Sequence, residues 1–236
     1  VHAVGQHADP AVRVDGQRAA WPLGKVVCVG RNYVEHAKEL NNPVPTSPLL
    51  FMKPATSAVA LKAPIHLPLN QGPCHFETEI AVLIGETIRQ ASVESIADKI
   101  AGYGMGLDLT LRQLQDQLKA KGYPWEMAKA FDGACPLSAF VPAQAIVHPE
   151  HLGLSTHING ELRQCGFVSE MITPLFELIA YISQHFTLQA GDVVMTGTPA
   201  GVGALNPGDQ LSLSLLVRNA DNSTTTLAQF NACVEN

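Results

Sequence analysis

Three carboxylates set the first chemical expectation for this 236-residue chain. Glu77 and Glu79 stand two apart at the start of the run 77–84, whose even positions Thr78, Ile80, Val82 and Ile84 are β-branched or aliphatic strand formers. Side chains alternate faces along a strand, so both glutamates leave the same face. Alternate carboxylates on a strand ordinarily mark a solvated face. Here the rest of the run is apolar, which predicts burial of both faces. Two buried carboxylates repel each other and lose hydration unless a cation lies between them. Asp108, at the end of the Gly-rich run 101–107, offers a third oxygen ligand. Its ordinary alternative is helix capping, for which Thr110 is the better placed residue. Three carboxylates without a paired His or Cys suit a hard cation, Mg2+ or Mn2+ ahead of Ca2+.

A second constellation is Gly30-Arg31-Asn32-Tyr33 followed by His36 and Glu39. On a short helix His36 and Glu39 are i, i+3 neighbours, so the carboxylate can orient the imidazole as a general base toward water. The ordinary alternative is a surface His–Glu pair. The order H-x-x-E is not H-E-x-x-H, so no zinc-protease helix is indicated. Lys129 lies in a stretch of low charge after Pro124-Trp125, which suits a buried anion-binding lysine as well as an exposed one. The loop Thr196-Gly197-Thr198-Pro199-Ala200-Gly201-Val202-Gly203 lacks the Gly-Lys-Ser/Thr ending of a nucleotide-binding loop. Its N–H groups and Thr198 suit a carboxylate instead, with a plain turn between strands as the alternative.

These residues need a scaffold, and the pattern around them is mostly β. Short strands are expected at 25–29, 49–53, 77–84, 192–196 and 211–217, with a type I′ hairpin at Asn159-Gly160. Helices are expected over 92–100, where Val93, Ile96, Ala97 and Ile100 share a face, and from a Thr110 capping box to a stop at Gly122. Thr173-Pro174 opens a third as N-cap and N1, running to about His185. The expected class is a strand-dominated α+β fold: an N-terminal arm or hairpin over 1–22 and one domain over 23–236.

Composition excludes several roles. With 15 Lys+Arg against 21 Asp+Glu and no basic run, no nucleic-acid partner is expected. Five scattered cysteines without a C-x-x-C pair argue against a disulfide framework or zinc ribbon. No apolar stretch of about 18 residues suggests a membrane span, and the first residues lack a charged segment followed by an apolar core. The expectation is a cytoplasmic protein.

Taken together the motifs resemble the fumarylacetoacetate hydrolase family, in particular its acylpyruvate hydrolase and oxaloacetate tautomerase/decarboxylase branch. They are Gly30-Arg31-Asn32-Tyr33 with His36 and Glu39; Phe51-Met52-Lys53-Pro54; Glu77-Thr78-Glu79; Gly106-Leu107-Asp108-Leu109-Thr110 with Arg112 and Gln115; Pro124-Trp125 with Lys129; and the 196–203 loop. The resemblance implies a mixed β-sandwich roll with a few short helices, usually a homodimer, and Mg2+ or Mn2+ on Glu77, Glu79 and Asp108. It implies a His36–Glu39 dyad on a segment that closes over substrate. Lys129 and Thr198 match positions that contact substrate oxygens, with Arg31, Lys53, Arg112 and Gln115 nearby. Where the family often has two histidines before the first glutamate, this chain has His75-Phe76-Glu77.

The expected substrate is a short 2-oxo acid, and the expected reaction is hydrolysis of a C–C bond in a 2,4-dioxo acid of acylpyruvate type. The alternative at the same site is an oxaloacetate tautomerase/decarboxylase, or an isomerase/decarboxylase of aromatic-catabolism diacids. A non-catalytic binder of metal or a small acid is the third reading, against which the His36–Glu39 pair and Lys129 speak.

Overall fold

The computed structural model describes residues 13–235; residues 1–12, the first half of the expected arm, lie outside the described residues. The arm's described part holds a two-stranded hairpin, Arg13–Val14 with Gln17–Arg18, turned by Asp15 and Gly16 at positive φ.

The body is two large curled mixed sheets with a small three-stranded one, Thr110–Leu111, Cys74–Phe76, Gly203–Ala204, beside them. The larger runs in the order Leu49–Lys53, Val26–Gly30, Val193–Met195, Thr78–Ile84, Ile100–Leu107, Cys135–Leu137, Ala58–Ala60. The smaller runs Glu161–Phe167, Leu152–Ile158, Gln210–Arg218, Thr224–Glu235, Ile65–His66. The turn between Leu152–Ile158 and Glu161–Phe167 has Asn159 and Gly160 both at positive φ, as a type I′ turn requires.

Every residue of the central strand Thr78–Ile84 is buried. Its even face, with Ile80, Val82 and Ile84, packs in one apolar cluster with Leu154, Leu213 and Leu215 of the other sheet. Its odd face, with Ala81 and Leu83, joins a second cluster with Val26, Val193 and Met195. The two glutamates sit at the end of that odd face. The predicted two-sided burial is therefore what isolates them from water.

The Gly-rich run is the strand Ile100–Leu107, antiparallel to Thr78–Ile84. Its glycines at 102, 104 and 106 all face one way, and the chain at 137–141 lies directly on them. A Cβ at Gly102 would come within 2.7 Å of the Val141 carbonyl oxygen and 3.1 Å of Phe140 Cβ. Gly102→Ala is expected to destabilise the protein by about 1–3 kcal/mol, because backbone rather than a side-chain tip must give way. Urea denaturation checks this; an unchanged midpoint would show that the 137–141 segment yields freely.

Two helix expectations are corrected. Residues 92–100 form two short 3-10 turns, Val93–Ser95 and Ala97–Lys99, and Ile100 already belongs to a strand, paired with Ile84. The local apolar period is outcompeted by pairing with the central strand. Thr110 does not cap the next helix: it pairs in a short strand with His75, and the helix spans Arg112–Lys121 after Leu111. The stop at Gly122 is as expected, with φ 66°. The third helix is Leu175–His185, one residue later than its Thr-Pro signal indicated.

Candidate metal centre and its cleft

Antiparallel pairing builds the carboxylate cluster. Thr78 stands opposite Leu107, and the Asp108 N–H donates to the Glu77 carbonyl at 2.8 Å, so Asp108 continues the ladder directly across from Glu77. Ligand oxygens of Glu77, Glu79 and Asp108 lie within 4.8 Å of one another, and all three residues are buried. A buried all-oxygen donor set of this size fits one divalent cation of the hard class.

The electrostatics show the need for positive charge. Burial and then the neighbouring Asp108 push the Glu79 carboxyl well above the ordinary carboxylate range. Burial would do the same to Glu77, but Lys129 and Arg112 outweigh it and hold that carboxyl well below the range. Among the described residues Glu79 keeps only a backbone hydrogen-bond partner, the Gly197 N–H at 2.7 Å. The Thr-Gly-Thr-Pro loop thus binds a carboxylate of the protein itself.

Lys129 is the buried alternative foreseen for it, at 2% exposure. It is carried by the short helix Glu126–Lys129, and its ammonium donates to Glu77 Oε2 at 2.8 Å, Asp108 Oδ2 at 2.5 Å and Thr110 Oγ1 at 2.7 Å. Burial alone would lower its pKa; Asp108 and Glu77 reverse that and raise it. Arg112 reaches Glu77 with one guanidinium nitrogen and Gln115 Oε1 with another, the latter at 2.8 Å.

His36 and Glu39 lie on the helix Val34–Glu39, with His36 Nδ1 3.3 Å from Glu39 Oε2. The Gly201 N–H donates to Glu39 as well, at 3.1 Å to Oε1, which fastens this helix over the 196–203 loop. An open cleft lies between these groups, lined by Arg31, His36, Glu77, Arg112, Gln115 and Lys129 among others.

Two residues expected to touch substrate are turned inward. Lys53 is fully buried behind the carboxylates, pairing with Asp108 Oδ1 at 2.8 Å and donating to the carbonyls of Lys129 and Ala134. It stands outside the cleft lining and meets the cluster through Asp108. The Thr198 hydroxyl donates to the Thr78 carbonyl at 2.8 Å and accepts from Gln164 Nε2 at 2.7 Å.

Gln164 was not foreseen. It is fully buried, and its Oε1 accepts from the Thr78 N–H at 3.0 Å while its amide holds Thr198 and the Pro199 carbonyl. It ties the second sheet to the strand and loop that carry Glu79. Two residues earlier on the same strand Leu162 is 58% exposed, so hydropathy alone ranks these two residues the wrong way.

A curled β-roll that buries an oxygen-only cation site at the foot of a cationic cleft is the architecture of a divalent-metal enzyme acting on small acids. Residues 25–235 match the fumarylacetoacetate (FAA) hydrolase C-terminal family, and the chain belongs to that family. It is 52% identical over 195 residues to the oxaloacetate tautomerase YcgM of Escherichia coli K12, covering 82% of this chain and 89% of that protein. It is 41% identical over 196 residues to the human mitochondrial oxaloacetate tautomerase FAHD1, covering 83% and 89%. Among solved structures, a fumarylpyruvate hydrolase from Pseudomonas aeruginosa in complex with Mn2+ and pyruvate superposes with a TM-score of 0.86. The two are 33% identical, and the match covers 100% of this chain and 99% of that one.

Proposed function

We propose that this protein interconverts the keto and enol forms of oxaloacetate, using Mg2+ or Mn2+ on Glu77, Glu79 and Asp108. The observation that carries this reading is its identity, over most of both chains, to a bacterial oxaloacetate tautomerase. The tautomerase, the alternative in the sequence reading, thus takes precedence over the hydrolase.

In the enol-to-keto direction a proton leaves the 2-hydroxyl, C3 gains one, and the C2–C3 double bond becomes C2=O. A cation held by the three carboxylates supplies Lewis-acid stabilisation of the charge that develops on the C2 oxygen. Lys129 adds positive charge beside that oxygen. His36, held by Glu39 and facing the cleft, exchanges the proton at C3. Arg31, Arg112 and Gln115 bind the acid's carboxylates; Thr198 and Lys53 act indirectly, by holding the backbone around Glu79 and the Asp108 carboxylate.

The decisive assay follows enol oxaloacetate by ultraviolet absorbance with metal-stripped protein, before and after Mg2+. Restored turnover is expected; none in the presence of bound metal would remove the assignment. His36→Ala is expected to lower kcat by about 100-fold or more with metal affinity unchanged.

Hydrolysis of an acylpyruvate is the second reading. It is favoured by the His36–Glu39 pair, which is equally suited to deprotonating a water, and by likeness to a fumarylpyruvate hydrolase. Acetylpyruvate in the same assay separates the two. The family resemblance supports a homodimer. No helix among the described residues is long and apolar enough to cross a membrane, and all five cysteines are free. A cytoplasmic location accords with both.

A further inference from the structure

The cleft carries more positive charge than the cation site uses. Four cationic side chains line it, Arg31, Arg112, Lys119 and Lys129, against the single carboxylate of Glu77. This contrasts with a chain whose formal net charge is −6. Lys129 and Arg112 are committed at the inner end, to Glu77, Asp108 and Gln115. Among the described residues, Arg31 and Lys119 have no such commitment.

Lys119 lies in the last turn of the Arg112–Lys121 helix, one turn beyond Gln115 on the same face. Its only anionic partner among the described residues is Asp116 at 3.5 Å, itself 63% exposed, a geometry that contributes little. Its ammonium lies over the Trp125 ring, 5.7 Å from the centroid, and its side chain is only 22% exposed. Burial lowers its pKa, Asp116 opposes that in part, and the positive charges of Arg112 and Arg31 lower it further. A lone lysine in the last helical turn would more favourably extend into water.

Arg31 is held toward the same cleft at a cost. Its φ is +61°, a conformation that strains a non-glycine residue. The next residue fixes it: Asn32 donates to the carbonyls of Thr173 and Thr196 and accepts from the Thr173 N–H.

We propose that Lys119, together with Arg31, forms a second carboxylate subsite at the outer end of the cleft, so that the site selects dicarboxylic 2-oxo acids over monocarboxylic ones. This deepens the reading of the site as one for small 2-oxo acids. The inner groups hold the 2-oxo carboxylate end, and Lys119 meets the distal carboxylate, which an acylpyruvate with an alkyl tail lacks.

The test compares L-malate with L-lactate, which share a 2-hydroxy carboxylate head and differ in the distal carboxylate. Their binding to the Mg2+-loaded full chain is measured by calorimetry. The wild type is expected to prefer malate. Lys119→Met is expected to lose about tenfold of that preference through malate alone, and Lys119→Arg to keep most of it. An unchanged malate-to-lactate ratio in Lys119→Met, or no preference in the wild type, overturns the proposal. Oxaloacetate kinetics keep the two claims apart. If oxaloacetate is not turned over yet malate selectivity depends on Lys119, the reaction assignment falls and the subsite stands. If oxaloacetate is turned over with an unaltered KM in Lys119→Met, the reaction stands and the subsite falls.

Discussion

Glu79→Gln is expected to abolish high-affinity metal binding while making the metal-free protein more stable. The two effects share one cause. Glu79 is buried beside Asp108 and Glu77 with no cationic hydrogen-bond partner among the described residues, so its charge is unfavourable until a cation arrives. An amide of the same shape removes that charge and still accepts the Gly197 N–H. Loss of a ligand should weaken Mg2+ or Mn2+ by at least about 100-fold, an effect no smaller than losing a partner that merely orients a ligand. The stabilisation that metal gives the wild type, about 2.7 kcal/mol at 100 times its Kd, should vanish with it.

The same argument fixes a pH dependence. A carboxyl raised on folding binds its proton more tightly when folded. Its contribution to stability is full below its unfolded value and is lost as pH rises through the folded one. Glu77, held well below the ordinary range, behaves the opposite way: its contribution is full above its unfolded value and is lost only as pH falls below that value. As pH rises above the ordinary carboxylate range the metal-free wild type should therefore lose stability relative to Glu79→Gln. Thermal melts of both proteins, metal-free and with Mg2+, check the prediction. A variant that melts lower than wild type without metal would show that Glu79 is not a frustrated charge.

How much of this was legible before the structure follows from what local pattern records. The carboxylate cluster was readable because a β period puts Glu77 and Glu79 on one face, and the apolar even positions declare that the other face is also covered. Asp108 was readable as a candidate from its chemistry, although the reason for its place lies in the ladder that sets Asp108 against Glu77. What the sequence does not carry is direction in three dimensions. Lys53 ends an unremarkable strand, and nothing in Phe51-Met52-Lys53-Pro54 tells that its ammonium is enclosed by Asp108 and the carbonyls around residue 129. Gln164 and Lys119 look like ordinary polar residues on an edge strand and a surface helix. Burial distinguishes both, and burial here is imposed by segments far away in sequence. The 92–100 segment fails in the converse way, since its helical period is real but too short to compete with a strand beside it.

Lys129→Met should produce the other large effect, and it separates holding the site from working in it. The substitution strips Glu77, Asp108 and Thr110 of a shared buried donor. Leaving buried carboxylates short of a counter-charge costs about 3–5 kcal/mol, so the metal-free variant should melt well below wild type. Glu77 keeps Arg112 and Asp108 keeps Lys53, which is why unfolding outright is not expected. A divalent cation supplies the missing charge to the same oxygens. Mg2+ should therefore bind Lys129→Met more tightly than wild type and recover most of the lost stability. Turnover should not recover. With the lysine's charge gone from beside the reacting oxygen, kcat should stay about 100- to 1,000-fold down even when the protein is saturated with metal. Calorimetric metal titration, melting temperature and oxaloacetate kinetics on one preparation read all three quantities. If Mg2+ restores turnover together with stability, Lys129 is only a scaffold cation. If stability returns and turnover does not, the lysine acts on the substrate, and the strength of metal binding and the rate of reaction at this site are set by opposing demands on the same three carboxylates.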